Sequence, residues 1–447
     1  MYIVFILTLI PILFLAYRLS GRDLMSPPVV MVGMFFLCAV FGLYRYDEWR
    51  YSTYSIETAV LLVLGIMSFV LAGTIGKYSR RRFFPDERSL DTPISRIEIS
   101  GIVPILITMI GVVQIYTLYR QIQFTVIDLG YNHSTLAQTL YVYRVINMTG
   151  RIPEGYGLSG IHSLLKYFVE SAAAFGIFIF LHNVVAVRSF RKKDLLWLAV
   201  ISLWPLNALL TTSRGDLLNV ISMAFYLVYF FLGMRKGFNQ KTEMKVMKRG
   251  VQLLLVFLAV FLVVSVQQGR VSSGFVRYLS TYTNGGIRNF DLFVKDPIPF
   301  NQGVVGNDET LRYVSILLNR LGGSSVQNTL ALEFREIHGV NTGNIYTAFR
   351  RYYSDFGPCG IILFSSFLGY LLTRLYYRAK GNVSTGRANF SVLLFAWLSK
   401  PIFFMAIEDS FYVSVVTLNG VIRVVFLWLM YQILVRKKIK VRFGNAR

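Results

Sequence analysis

The stretch NIYTAFRRYYSDFGPCGIILFSSFLGYLLTRLYY, residues 344–377, changes character at its middle. Its first half holds two arginines, an aspartate and three tyrosines. From Pro358 onward it is apolar for about twenty residues, the length that spans a hydrocarbon core ~30 Å thick. Gly357 and Pro358 suit the join, because proline is accommodated in the first turn of a helix. The chain as a whole resembles the second half. Hydrophobic residues make up 54%, charged residues 15%, and the mean hydropathy is +0.52, whereas about a quarter of an average soluble domain is charged. The expected class is an all-α polytopic integral membrane protein.

Segments apolar for long enough occur near 1–17, 27–44, 56–76, 99–119, 161–187, 194–213, 216–234, 251–268, 358–377, 389–407 and 411–434, about eleven in all (10–12). The first lacks a basic start and a small-residue cleavage site, so it reads as a retained helix. Lys and Arg gather in 77–88, 188–193, 235–249, 378–387 and 436–442. The positive-inside rule assigns these to the cytoplasm, with the N-terminus outside and the C-terminus inside. Basic loops of this kind set topology and touch anionic lipid, so the net charge of +23 does not point to nucleic acid.

Three regions follow: 1–267 with helices one to eight, an external loop over 268–357, and 358–447 with helices nine to eleven and a basic tail. A loop that long is usually functional. Within it Leu311, Val314, Leu318 and Leu321 recur at helical spacing, as do Val326, Leu330, Phe334 and Ile337. Two amphipathic helices are expected there, lying at the membrane surface or roofing a cavity. Cys38 and Cys359 have no metal-ligand spacing and no Gly-rich phosphate loop is visible, so no metal or cofactor is expected.

The external side is rich in arginine: Arg214, Arg270, Arg277, Arg288, Arg312, Arg320, Arg335, Arg350 and Arg351, with Lys295 the only lysine in the large loop. A guanidinium binds phosphate oxygens as a fork, so an anionic, lipid-linked substrate is expected; the bland alternative is pairing with Glu333, Glu336 and Asp355, or snorkelling. Arg214, in the tight hairpin TTSRGD (211–216), stands at the bilayer boundary, where a charge is costly unless paired or functional; Asp216 is its candidate partner. Arg270, in VQQGRVSSG, is a second cation at that depth. Lys400, Glu408, Asp409, Arg423 and Glu170 also fall in or beside apolar segments and are expected to pair.

The external hairpin arginine, the large external loop and the run Asn344, Tyr346, Thr347, Phe349, Tyr352 or Tyr353, Asp355, Phe356, Gly357, Gly360 resemble the Wzy or O-antigen polymerase family of bacterial oligosaccharide repeat-unit polymerases. The resemblance implies a metal-independent, GT-C-like glycosyltransferase of polysaccharide or lipopolysaccharide biosynthesis in the inner membrane. Donor and acceptor would be undecaprenyl-diphosphate-linked oligosaccharides, with a Wzz-type chain-length regulator and a flippase in the same pathway. Arg214 and Arg270 would neutralise the leaving diphosphate. His338, the large loop's only histidine, is the first candidate for the base that takes the acceptor proton, and Asp355 the second. Arg288, Arg350, Arg351, Tyr352, Tyr353, Asn344 and Tyr346 would hold substrate, the tyrosines Tyr352 and Tyr353 by stacking on sugar rings. An O-antigen ligase and a flippase of lipid-linked units are the alternatives.

Overall fold

The computed structural model describes residues 1–79, 94–131, 135–148, 160–250, 252, 275–297, 309–321 and 332–436. The helices are, in chain order, α1 (Tyr2–Leu19), α2 (Pro27–Gly42), α3 (Ile56–Tyr78), α4 (Ile102–Asp128), α5 (Leu136–Met148), α6 (Gly160–Leu181), α7 (Leu195–Leu210), α8 (Arg214–Lys236) and α9 (residues 240–250). They continue with α10 (Phe275–Lys295), α11 (Arg312–Leu321), the strands β1 (Arg335–Ile337) and β2 (Val340–Gly343), then α12 (Ala348–Ser384), α13 (Phe390–Trp397), α14 (Lys400–Phe404) and α15 (Leu418–Met430). Among the described residues nine helices are long and apolar enough to cross a membrane. This is a multi-pass, all-α membrane protein.

The expected segment 251–268 lies outside the described residues. The expected helix 389–407 is broken into α13 and α14, because Pro401 cannot donate a backbone hydrogen bond into the preceding turn. The last helix begins at Leu418 rather than at 411: residues 405–417 form turns, pinned where Asp409 Oδ1 accepts the backbone N–H groups of Phe411 (3.0 Å) and Tyr412 (3.1 Å).

Contacts divide the chain into two compact units. Unit 1 holds Met1–Pro85, Glu243–Arg378 and Leu398–Thr417, and unit 2 holds Asp86–Thr242, Ala379–Trp397 and Leu418–Arg447. In unit 2, α6 packs on α7, α4 and α15. Buried Gln114 and Asn207 exchange amide hydrogen bonds of 2.9 Å in each direction between α4 and α7, a polar tie of the kind that joins helices in lipid. The charges Glu170 and Arg423 pair there at 2.8 Å, with Arg423 over the Tyr167 ring at 4.5 Å. Asp216 lies within electrostatic reach of that arginine.

In unit 1, α2 packs on α1, α10 and α14. Helix α3 starts at a capped turn, Ser55 Oγ accepting from Thr58 N at 3.1 Å. Against it runs α12, and a Cβ on Gly369 would come within 2.3 Å of the Phe69 carbonyl oxygen, so this crossing admits no side chain. Helix α12 starts ten residues upstream of the expected entry at Pro358 and breaks at Gly357, whose φ of 59° and ψ of −151° suit glycine. The run RRYYSDF is thus a helix of its own, ending where the apolar part begins.

Two further expectations are corrected. The apolar spacing of Val326, Leu330, Phe334 and Ile337 predicted a helix closed by His338; residues 322–331 lie outside the described residues, and 335–337 is a strand. His338 and Gly339 both have positive φ (47° and 80°) and make the two-residue turn of a hairpin pairing Ile337 with Val340. Conversely, α10 was not expected, since charged and amide side chains interrupt its buried apolar residues.

Candidate functional site

Helix α10 organises the polar end of unit 1. Asn284 Nδ2 donates to the Tyr2 hydroxyl and the Cys38 carbonyl, each at 2.8 Å. One turn on, Arg288 is 1% exposed. It pairs with Asp291, donates to Arg50 O and Thr53 Oγ1 at 3.2 Å each, and lies over the Tyr51 ring at 5.3 Å. Asp291 also accepts from Ser55 N (2.9 Å), Thr58 Oγ1 (3.0 Å) and Lys295 Nζ (2.7 Å). Near the start of the helix Arg277 shares Glu48 with Arg45. Burial pushes the Glu48 carboxyl up, but the hydrogen bonds from Arg277 and Arg45 outweigh it and hold the group below the usual glutamate range.

The same helix carries the chain into α12. Asn289 Nδ2 donates to the carbonyls of Thr342 (3.3 Å), Gly343 (3.2 Å) and Ile345 (2.9 Å). Gly286 lets the link between β2 and α12 come close: a Cβ there would sit 2.4 Å from Ala406 O and 3.2 Å from Thr347 N. Asn344 lies half-buried in that link.

Around the first turns of α12 the charges converge. Arg350 is fully buried and faces the carboxylates of Glu309, also fully buried, and Glu333 (2.9 Å). Its guanidinium lies over the Phe293 ring at 4.1 Å and the Tyr346 ring at 5.2 Å. Glu309 Oε2 and Arg350 Nη1 form an ion pair, to which the ring contacts add stacking. Tyr346 donates to Glu333 Oε1 at 2.9 Å, and burial together with the Glu333 charge raises its phenol well above the usual range. Arg351 donates to the Glu309 carbonyl at 3.4 Å and lies in the field of Asp409, Asp355, Glu408 and Glu333. Asp355 accepts the backbone N–H groups of Glu309 (3.2 Å) and Thr310 (2.6 Å), so it pins the approach to α11.

Of the residues singled out in the sequence, Arg350, Arg351, Tyr346 and Asp355 meet in this cluster, and Arg288 belongs to the neighbouring one on α10. Tyr352 is fully buried among Phe349, Phe364 and Tyr412, so its ring is already packed by protein. Tyr353 is half-buried, edge-on to Phe290 and Phe293, with its hydroxyl 3.5 Å from Glu57. His338 stands exposed at the hairpin tip. Arg214 is the first residue of α8, in unit 2, and its side chain is outside the described set; Arg270 lies outside the described residues.

Sequence reading offered Glu333 and Glu336 as arginine partners: Glu333 takes Arg350, Tyr346 and Arg335 (3.5 Å), whereas Glu336 is exposed. Two participants were missed. Glu309 carried no signal, because its partner is distant in sequence. Asp291 stood three residues after Arg288, the spacing of a helical ion pair, which becomes readable once α10 is known to be a helix. Asp409 is buried beside Arg351 and Tyr352, and burial, opposed by Arg351, pushes its carboxyl up to about 6. The expected pairing of Lys400 is found, with Glu408 at 2.5 Å. Among the described residues no group of three His, Cys, Asp or Glu side chains is placed to hold a metal ion.

Comparison with family models, curated proteins and solved structures finds no match for the chain.

Proposed function

We propose that the protein is a membrane-embedded glycosyltransferase of the polymerase kind, which passes a growing polysaccharide from undecaprenyl diphosphate to the next lipid-linked repeat unit at the periplasmic face of a bacterial inner membrane. The observation that carries this reading is the pair Arg350 and Arg351, 0% and 7% exposed. Arg350 is held by the Phe293 and Tyr346 rings and by carboxylates, and Arg351 lies in the field of four carboxylates, both within two turns of the break at which α12 turns apolar. A lipid diphosphate brings its charge to that depth, and its oxygens match the fork that a carboxylate occupies. The substrate therefore enters by displacing Glu309 or Glu333 from the Arg350 guanidinium, which keeps its orientation because Phe293 and Tyr346 hold it.

In the transfer, an acceptor hydroxyl oxygen bonds to the anomeric carbon of the donor sugar as the bond from that carbon to the phosphate oxygen breaks. The hydroxyl proton leaves to a base, and the bonding electrons leave with the diphosphate, whose growing charge Arg350, Arg351 and Arg288 are suited to neutralise. Arg214 and Arg270 are proposed as further cations from the sequence alone. Of the two proposed bases, Asp355 has its oxygens engaged by backbone N–H groups, while His338 on its exposed turn is free to meet an acceptor. Asn344, Tyr346 and Tyr353 are proposed to shape the sugar site, with Tyr352 packed behind them. A GT-C architecture, a Wzz-type chain-length regulator and a flippase belong to the same proposal.

The test uses purified protein in lipid nanodiscs with a synthetic undecaprenyl-diphosphate repeat unit, read by electrophoresis. A ladder of products is expected, and Arg351→Lys, which keeps the charge but loses the fork, is expected to reduce it about 10²–10³-fold. Absence of product from the wild type, together with long-chain polysaccharide that persists after gene deletion, would overturn the proposal. Transfer to lipid A core instead would make the protein a ligase, and repeat units trapped in the cytoplasmic leaflet after deletion would make it a flippase.

A further inference from the structure

Helix α11 is turned inside out relative to a helix on a water-exposed surface. Its polar residues Arg312 and Ser315 are 5% and 7% exposed, whereas Val314, Leu317 and Leu318 are 41%, 51% and 48% exposed. A helix that packs on a protein core in water buries its apolar stripe and exposes its polar one. The reverse pattern is that of a surface whose outer solvent is hydrocarbon. Arg312 and Ser315 are thus turned toward protein, and the apolar side faces out.

What lies on that face is fixed by where the helix is attached. The chain just before α11 is bound to α12, through the hydrogen bonds from Glu309 N and Thr310 N to the Asp355 carboxylate and from Ser354 Oγ to Glu309 Oε1 (3.1 Å). Thr310 precedes the first residue of α11 by two positions, at most roughly 7 Å of chain. The residue after Asp355, Phe356, is 45% exposed, and beyond Gly357 the exposed apolar strip of α12 begins, with Ile362, Leu363 and Phe367 at 40%, 64% and 51%. That strip belongs to a helix long and apolar enough to cross a membrane. The chain entering α11 is thus tied to α12 at Asp355, two residues before the break beyond which that strip begins.

We infer that α11 lies in the plane of the membrane surface, with Val314, Leu317 and Leu318 seated among the acyl chains of the leaflet that α12 enters at Gly357, and with Arg312 and Ser315 turned toward protein. The partner is the lipid bilayer itself, bound as interfacial amphipathic helices bind it. Of the two placements that the sequence allowed, membrane surface or cavity roof, the outward apolar face selects the first. This placement is independent of any transferase activity.

The experiment places an environment-sensitive fluorophore on single cysteines of the full-length protein in phosphatidylethanolamine and phosphatidylglycerol nanodiscs. The background carries Cys359→Ser and keeps Cys38, which is 3% exposed. Leu317→Cys and Leu318→Cys are compared with Leu363→Cys, on the α12 strip, and His338→Cys, on the exposed hairpin turn. Quenching by lipid-borne nitroxide is expected to exceed quenching by aqueous iodide at least threefold at 317 and 318, as at 363, and to fall below it at 338. Labels at 317 and 318 that follow the pattern of 338 would overturn the inference, as would labels that neither quencher reaches, which would mean a protein covers the face. Val314→Cys serves as the replacement should either leucine variant fail to elute as a monodisperse species.

Discussion

Arg350→Met tests the buried charge cluster most directly. The arginine side chain is 0% exposed, and so is the Glu309 side chain against which it lies. Methionine keeps most of the volume and the contact with Phe293, but it leaves the Glu309 carboxylate buried without its cation. Removing one partner of a buried pair costs about 3–5 kcal/mol, and part of that is the cation–π contact at 4.1 Å, itself about 1–2 kcal/mol. Unit 1 contains about 240 residues, a size at which 1 kcal/mol corresponds to roughly 2–4 °C in Tm. The expected fall is therefore roughly 6–20 °C, measured by thermal unfolding of the detergent-solubilised protein followed by size-exclusion chromatography. Glu309→Gln alone leaves Arg350 its second carboxylate, Glu333 at 2.9 Å, and costs less. The double variant Arg350→Met/Glu309→Gln has no stranded charge, so it should recover a coupling energy of about 1–3 kcal/mol relative to the sum of the singles. A single variant within 1–2 °C of the wild type, or strict additivity in the double (both set against the ranges above), would show that the two groups do not depend on each other.

Gly286→Ala places a Cβ 2.4 Å from the Ala406 carbonyl oxygen, a backbone atom with no side chain to swing aside; a loss of about 1–3 kcal/mol is expected, read by the same unfolding assay. In unit 2, Arg423→Met leaves Glu170, which is 2% exposed, with only Lys166 at 3.7 Å, and should cost up to about 3–5 kcal/mol, with Glu170→Gln added to it restoring much of the loss. Asp409 gives a pH signature. Its carboxyl is raised from 3.8 to about 6 in the folded protein, so its contribution to stability is fully present below pH ~4 and is lost as pH rises through 6, on the order of 2–3 kcal/mol at 1.36 kcal/mol per pH unit. Asp409→Asn should flatten that part of the stability profile between pH 4 and 7, and an unchanged slope would remove Asp409 as its source.

The membrane helices were legible because a hydrocarbon core imposes one requirement on every crossing: enough consecutive apolar residues, with backbone bonds closed inside the segment. Helix α10 escaped that search. Its buried positions mix the polar Ser280, Asn284, Arg288, Asn289 and Asp291 with Ile287, Phe290, Phe293 and Val294, and the pair Gly285-Gly286 weakens local helix propensity. Its polar side is nevertheless satisfied, by Tyr2, Ser55 and Thr58 from segments more than two hundred residues away. The false helix near His338 failed for the opposite reason: apolar residues fell at helical spacing, but a two-residue turn of positive φ made the local pairing a hairpin.

By itself, then, the sequence determined that the chain crosses a membrane many times, roughly where, and which polar runs border the crossings, since each of these follows from local composition against the thickness of lipid. It also picked out Arg288, Arg350, Arg351 and Asp355 as residues of consequence. Only the tertiary structure decided their partners. Whether a buried arginine meets Glu309, Glu333, Asp291 or Asp409 depends on how segments distant in the chain are brought together, and a charge in a low-dielectric interior is tolerated only when that meeting occurs.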